Sequence, residues 1–483
     1  MITSADFLPL VPEIFLLCAI CALLLTDLFV SNERRGLIHF LAIAILGATA
    51  ILTLRGVPGV ALPTRVFSGA FQRDAVGDLL KLFIYLLTAL TFVYAKPYLK
   101  DRNLFKGEFY LLCLFAVLGM MLLVSAGNLI MVYLGLELLA LSSYALVAFD
   151  RDNPRSTEAA IKYFVLGALA SGMLLYGISM LYGVAGGVDL AKVYEAATTV
   201  QGDQRVLMLF GLMFIVVGVA FKFGATPFHM WLPDVYEGSP TAITVFISTA
   251  PKLAAVGMAY RLFDNAAGGL DADWRIALAW LAVLSLVVGN LVAIMQVNFK
   301  RMLAYSAISH VGFLFLGLAN GTPDGYAAAT LYAICYTLMV SGSFAAVILL
   351  SRQGFEAENI SDYRGLFRTH PWFALMILLL MFSLAGVPPL FGFWAKLAVI
   401  RAAIDADMLW LAIVAVVFAV IGAFYYLRVV KVMFFDPPSE DVRIVPQSDL
   451  PLRWVFSANA LAMLALGVFW NPLLELCVAA YQR

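Results

Sequence analysis

Long apolar stretches alternate with short polar breaks along the whole chain. About fourteen of these stretches are long enough to cross the roughly 30 Å hydrocarbon core of a bilayer as helices. They cover residues 9–30, 36–54, 77–95, 107–124, 127–148, 157–183, 206–232, 239–263, 274–297, 301–319, 325–350, 372–400, 406–432 and 453–477. Backbone groups in hydrocarbon must be satisfied within the segment, and no barrel-like alternation is visible in the sequence. The pattern therefore predicts an all-α polytopic membrane protein that forms one bundle.

Composition agrees with this prediction and narrows the chemistry. Hydrophobic residues make up 63% of the 483 positions and charged residues 13%, and the mean hydropathy is +0.93, which excludes an ordinary soluble protein. The 31 basic and 31 acidic residues balance, so the net charge gives no reason to expect nucleic acid as a partner. The sequence contains no nucleotide-binding loop, flavin motif or iron–sulfur cysteine set. We expect no cofactor or metal in this chain and a lipid bilayer around it.

Lysine and arginine in the connections predict the orientation. The connections after odd-numbered spans carry Arg34, Arg35, Lys96, Lys100, Arg102, Lys106, Arg151, Arg155, Lys300, Arg301, Arg352, Arg364, Arg368, Arg428, Lys431, Arg443 and Arg453. The opposite side carries Arg55, Arg65, Arg73, Lys192, Arg205, Arg261, Arg275, Arg401 and Arg483. Basic residues collect on the cytoplasmic side of membrane proteins, so the 17-to-9 bias places both termini outside.

Two spans are interrupted in the same way. Span seven contains "FGATPFHMW" and span twelve contains "AGVPPLFGFW". The residues of the two breaks are Gly224, Pro227, Gly386, Pro388 and Pro389, and a tryptophan follows each break. Proline removes a backbone donor and clashes with the preceding turn, so both helices should unwind there. Two ordinary kinks remain the alternative.

The two breaks lie five spans apart, which indicates a duplication. Paired broken helices in two repeats mark the ion pathway in many transporters, and an odd number of spans inverts the second copy. The predicted organisation is an N-terminal three-helix segment (1–106), a first five-helix repeat (107–263), a second, inverted five-helix repeat (274–432) and a C-terminal transmembrane helix (433–483).

Ionisable residues inside the spans predict a proton relay. Each charge at the membrane centre costs about 2.5–3.5 kcal/mol, which makes several of them a functional signal. The candidates are Glu137, Lys162, Lys222, His229, Lys252, His310 and Lys396. Simpler interpretations stay open for four of them. Lys162 can pair with Glu158 one turn away or reach the interface, Lys396 can also reach the interface, and each histidine can be a satisfied core residue.

The motif around the first break carries a family resemblance. "KFGATPFHMWLPDVYEGSPTAITVFISTAPKLAAVG", residues 222–257, resembles the signature of the subunit N family of bacterial respiratory NADH:quinone oxidoreductase, complex I. Supporting stretches are "VYLGLELLALSSYALVAF" (132–149), "STEAAIKYFVLGALASG" (156–172), "NFKRMLAYSAISHVGFLFLG" (298–317) and "SLAGVPPLFGFWAKLAVI" (383–400). Sibling antiporter-like subunits carry a "PDAH…APT" type of sequence after the tryptophan, where this chain has "PDVYEGSPT". The similarity extends over essentially the whole chain.

The resemblance implies a proton-translocating subunit in the bacterial inner membrane. Glu137, Lys162, Lys222, Lys252 and Lys396 match the titratable positions of the family, and both histidines match polar positions along its central axis. NADH, FMN, iron–sulfur clusters and quinone are expected in partner subunits, with sibling antiporter-like subunits as membrane neighbours. A subunit of a stand-alone cation/proton antiporter is the first alternative, and a scaffold that carries no protons is the second.

Overall fold

The computed structural model describes residues 4–31, 34–56, 62–438 and 444–482, and this part of the chain is almost entirely helical. Its α-helices are α1 (Val11–Phe29), α2 (Gly36–Arg55), α3 (Ala75–Asp101), α4 (Gly107–Val124), α5 (Leu129–Val147), α6 (Pro154–Ala185), α7 (Leu190–Thr199), α8 (Gly202–Phe223), α9 (Trp231–Gly238), α10 (Thr241–Ser248), α11 (Ala250–Phe263), α12 (Asp271–Met295), α13 (Phe299–Asn320), α14 (Pro323–Leu350), α15 (Leu366–Thr369), α16 (Pro371–Ala385), α17 (Phe391–Asp405), α18 (Leu409–Phe434), α19 (Leu450–Val468) and α20 (Asn471–Tyr481). Short 3-10 helices cover Ser4–Leu10, Gly268–Leu270 and Ile360–Tyr363. One antiparallel hairpin, β1 (Thr64–Val66) and β2 (Phe71–Arg73), precedes α3.

The all-α membrane fold is confirmed. In the described chain, 13 helical segments are long and apolar enough to cross a bilayer, and the predicted twelfth span appears as the shorter apolar helix α16 followed by α17. Residues 241–263 and 325–350 are entirely buried, whereas only about a third of α2 and of α6 is buried. The bundle therefore has a central group of helices that protein covers and a rim that can face lipid.

Two predicted spans differ in the structure. Span eight, predicted as continuous from 239 to 263, is divided into α10 and α11 at Thr249, whose φ of −117° and ψ of −90° are not helical. Span fourteen, predicted over 453–477, ends at Val468, and α20 follows as a separate helix. Pro251 lies in the first turn of α11 and Pro472 in the first turn of α20. Proline is compatible with the first turn of a helix, so these two residues do not by themselves predict a break.

The same backbone arrangement occurs once in each half of the chain. Asn128 caps α5 and pairs with Asp189 in an isolated antiparallel bridge. Asn298 caps α13 and pairs with Asn359 in a second bridge of the same kind. In both places the chain passes through the capped helix and the next long helix and then returns to hydrogen-bond the start of the capped helix.

Contacts between connections group them at two ends of the bundle. At one end Arg102 and Lys300 approach Glu356, and Gln447 donates to Asp101. At the other end Arg205 pairs with Asp273, and Gly69 lies against Asp189. Connections that follow successive membrane spans must alternate between the two ends of the bundle, and these contacts agree with that requirement. Arg443 and Arg483, two of the basic residues that predict the orientation, lie outside the described residues.

Candidate functional site

Both predicted breaks end a helix with the same hydrogen-bonding pattern. At the end of α8, Gly224 has φ +76°, the Gly224 amide donates to Phe221, and the Ala225 amide donates to Ala220. At the end of α16, Gly386 has φ +88°, the Gly386 amide donates to Ser383, and the Val387 amide donates to Phe382. The left-handed glycine is the usual means of ending a helix in this way.

Lys252 lies at the first break, although in the chain it follows the interruption at Thr249, here called the third break. Its Nζ donates 3.1 Å to the carbonyl of Phe223, the last residue of α8 and the neighbour of Lys222. The residue is only 4% exposed. Carbonyls at a helix C-terminus lack intrahelical donors and carry partial negative charge, so this position stabilises a cation.

Lys396 occupies the same kind of position in the second half. Its Nζ donates 2.9 Å to the carbonyls of Leu384 and Ala385, the last two residues of α16. The side chain is 8% exposed, so the alternative that it reaches the membrane interface is wrong. Each broken helix therefore ends on a buried lysine amine.

Glu137 and Lys222 are neighbours without a direct ion pair. The carboxylate acts electrostatically on the amine, and Glu137 Oε1 is buried without a hydrogen-bond partner. Lys222, Tyr144 and Ser171 are among the residues that line a cavity of about 20 Å³. About 10–15 Å³ is enough for one water, and these side chains supply the polar partners such a water needs.

His310 lies between Lys252 and Lys396 and interacts electrostatically with both. The ring of Tyr336 lies 5.4 Å from Lys252 Nζ and 4.9 Å from the His310 ring. On the other side, the ring of Phe313 lies 5.0 Å from Lys396 Nζ. His310 is 3% exposed, so the three titratable groups form a buried seam across α11, α13 and α17.

Sequence reasoning missed the tyrosines that hold His310. Tyr332 Oη lies 2.6 Å from His310 Nδ1, and Tyr426 Oη lies 3.0 Å from Nε2. Tyr425 continues the chain of hydroxyls to Asn290 at 3.2 Å. The adjacent tyrosines 425 and 426 inside an apolar span were a signal that could have been used. His310 is a satisfied buried histidine and also a neighbour of both lysines.

The structure does not bring Lys162 and His229 into this seam. Lys162 is 43% exposed and pairs with Glu158 at 2.8 Å and with Asp234 at 2.7 Å, so the ion-pair alternative describes its contacts. His229 is partly buried within the first break, and among the described residues no hydrogen bond or ion pair joins it to a lysine of the seam. No group of metal-binding side chains is found within the described chain.

Sequence comparison finds close relatives over the full length. The family described as "NADH:quinone oxidoreductase/Mrp antiporter, TM" matches residues 126–422. A protein from Thioalkalivibrio sulfidiphilus named NADH-quinone oxidoreductase subunit N is 52% identical, with 98% of both chains covered. A protein of the same name from Xanthomonas euvesicatoria is 53% identical, covering 99% of this chain and 97% of the relative.

Solved structures agree with this similarity. A chain of respiratory complex I from Thermus thermophilus with bound aureothin superposes with a TM-score of 0.81 at 32% identity, covering 96% of this chain and 98% of the other. A chain of the Mrp complex from Dietzia sp. superposes with a TM-score of 0.86 at 23% identity, covering 99% and 97%. The second match concerns the fold alone.

Proposed function

The chain belongs to the NADH-quinone oxidoreductase subunit N family, and from that premise we propose that its buried seam carries protons across the membrane. The protein is a multi-pass membrane subunit of the proton-translocating NADH:quinone oxidoreductase, complex I. Electron transfer from NADH to quinone takes place in partner subunits, and this chain converts the energy released there into proton movement. Its neighbours are the other membrane-arm subunits, including the sibling antiporter-like ones.

The continuity of the titratable groups carries this proposal. Glu137 acts on Lys222, and the carbonyl beside Lys222 holds Lys252. Lys252 leads through Tyr336 to His310, and His310 interacts with Lys396. The groups span both halves of the bundle. Lys252, His310 and Lys396 are buried, whereas Glu137 and Lys222 are only partly buried. A water in the cavity beside Lys222 would give this amine a polar partner at the start of the seam.

Each lysine can hold a proton in one arrangement and release it in another. A charged amine is stabilised by the helix-end carbonyls and, for Lys222, by the Glu137 carboxylate. A shift of α8 or α16 that withdraws those oxygens favours the neutral amine, because burial disfavours the charged form. Lys162 and His229 were predicted as relay members, and we propose that they act on the relay from outside the seam.

The second half has its own partner for its lysine. Relative to the caps Asn128 and Asn298, His310 lies one helical turn beyond the position that corresponds to Glu137. We propose that His310 serves Lys396 as Glu137 serves Lys222, within two inverted repeats at 107–263 and 274–432. A carboxylate attracts a protonated amine and a histidine does not, so the two halves would hold their protons with different strength.

The driving energy must come from outside the chain. Moving one charge against 100 mV costs about 2.3 kcal/mol. We propose that NADH, FMN, the iron–sulfur clusters and quinone bind to partner subunits. We further propose that the protein lies in the bacterial cytoplasmic membrane with both termini on the periplasmic side.

Pumping by the intact complex in membrane vesicles tests the relay. Lys222→Ala and Glu137→Ala should each abolish NADH-driven acidification while the complex remains assembled. The matched control is Lys192→Ala, which removes an exposed lysine on α7. Normal pumping by both relay variants in an assembled complex would refute the proposal.

A stand-alone cation/proton antiporter is the second candidate because the matching family includes Mrp antiporters. It predicts sodium–proton exchange by vesicles that contain this subunit and receive no NADH. Exchange under those conditions, lost in Lys222→Ala, would favour the antiporter. Acidification that requires NADH favours the respiratory subunit.

A further inference from the structure

The segment between the first and third breaks is a hinged corner. Residues 231–248, here called the corner, comprise α9, α10 and the joint between them. The first break, 224–230, separates the corner from Lys222, and Thr249 separates it from Lys252. The corner is the covalent connection between α8 and α11, and nonhelical backbone lies at both of its ends.

The joint of the corner is held by three side chains from other parts of the bundle. Lys300 Nζ donates 2.9 Å to the Ser239 carbonyl, and the Thr241 amide donates 3.0 Å to Tyr98 Oη. The Thr241 hydroxyl donates to the Glu356 carboxylate. These contacts come from α13, from α3 and from the connection after α14, so each tethers the joint to a different part of the structure.

Glu356 links those contacts to one another. Tyr98 Oη lies 3.0 Å from Glu356 Oε2, Arg102 donates 3.0 Å to the same oxygen, and Lys300 Nζ lies 3.8 Å from Oε1. Burial would raise the pKa of this carboxyl, but Lys300, Arg102 and the hydroxyl donors lower it below the usual glutamate value. The carboxylate is therefore charged at neutral pH and holds two cations and two hydroxyls in place.

We propose that Glu356 is a positioning residue that fixes the corner and thereby keeps Lys252 at the end of α8, beside Lys222. The inference rests on the proposed relay, but it concerns a residue that lies outside the seam and carries no proton itself. α9 is held in the same way at Asp234, which pairs with Lys162 at 2.7 Å and with Arg301 at 3.0 Å. On this proposal Lys162 acts by holding the corner through its ion pair with Asp234.

The test compares Glu356→Gln with Glu358→Gln in the assembled complex. Both side chains lie in the same connection and are 24% exposed, but Glu358 pairs only with the exposed Arg155 among the described residues, at 3.5 Å. Losing charge-assisted hydrogen bonds should make exchange of the Ser239 and Thr241 amides about tenfold faster in Glu356→Gln. Protons pumped per NADH should fall, while Glu358→Gln leaves both quantities unchanged.

Unchanged exchange and pumping in an assembled Glu356→Gln complex would overturn the proposal, as would equal effects in the two variants. If Glu356→Gln does not assemble, Tyr98→Phe removes one hydroxyl and keeps the ring, and faster exchange at the joint is again expected. Unchanged exchange in Tyr98→Phe would also refute the positioning role. Lys222→Ala separates the two proposals. If Lys222→Ala loses pumping and Glu356→Gln pumps normally, the relay proposal stands and only the positioning role of Glu356 is refuted.

Discussion

Replacing Lys396 by arginine or methionine separates its two roles. The lysine donates to two helix-end carbonyls and is also proposed to release a proton. Arginine keeps the charge and the donors but does not deprotonate in proteins. Methionine removes both the donors and the charge at similar length. We expect both variants to lose NADH-driven proton pumping.

The stability change should be small for both variants. Two hydrogen bonds from a charged donor contribute about 1.5–3 kcal/mol each. Burying the ammonium at membrane depth costs about 2.5–3.5 kcal/mol. The two terms partly offset, so Lys396→Met should destabilise the subunit by at most about 3.5 kcal/mol, and the complex should still assemble.

The assay is the ratio of protons moved to NADH oxidised in sealed membrane vesicles, with assembly checked by thermal unfolding of the purified complex. Arg401→Gln is the control, because Arg401 lies on the same helix and is 82% exposed. Pumping at the normal ratio by Lys396→Arg would show that this side chain need not release its proton. The relay would then have to bypass the second break.

Three further outcomes are expected. Gly386→Ala should destabilise the subunit by about 1–2 kcal/mol or more, measured by thermal unfolding, because φ is +88° and the new Cβ would lie 2.9 Å from a neighbouring side-chain carbon. Glu13→Gln should cost up to about 3 kcal/mol, because it removes the carboxylate 2.6 Å from the buried Lys81 and leaves only Asp78 at 3.7 Å. Adding Lys81→Met should restore most of that loss, and no recovery in the double variant would contradict the pairing. Burial raises the pKa of Asp74, but Arg261 and the hydrogen bonds outweigh burial, so the net pKa is lowered. The Asp74–Arg261 pair should therefore stabilise the protein above the pKa of an unfolded aspartate and lose that effect as the pH falls through the lowered folded value. Asp74→Asn should remove this acid-dependent loss of stability.

The spans and the first two breaks were predictable because their causes are local. Apolar length identifies a membrane helix, and a glycine followed three residues later by proline ends one. The third break has no such signature. Pro251 opens α11, where proline is compatible with a helix, and the unusual backbone lies at Thr249, a residue type that does not mark a break.

The sequence predicted most residues of the site but not the contacts between their side chains. Burial at membrane depth identified Lys252, His310 and Lys396, and the structure joins them. Lys162 could not be resolved from the sequence, because its partner Asp234 is 72 residues away and on another helix. The tyrosines around His310 were not predicted as site residues, because a tyrosine in an apolar span is usually part of the core.

Lysines at helix ends connect the fold to the proposed chemistry. Lys252, Lys396 and Lys300 each donate to carbonyls at the C-terminal end of a helix, namely α8, α16 and α9. An ion pair with a fixed carboxylate would hold a proton more tightly, since a full charge attracts more strongly than the partial charge of a helix end. Helix-end carbonyls stabilise the charged amine only moderately, and they move with a helix that is free to shift at its break. A lysine held in this way can lose its proton after a small helix movement, which is what a relay driven from a distant redox site requires.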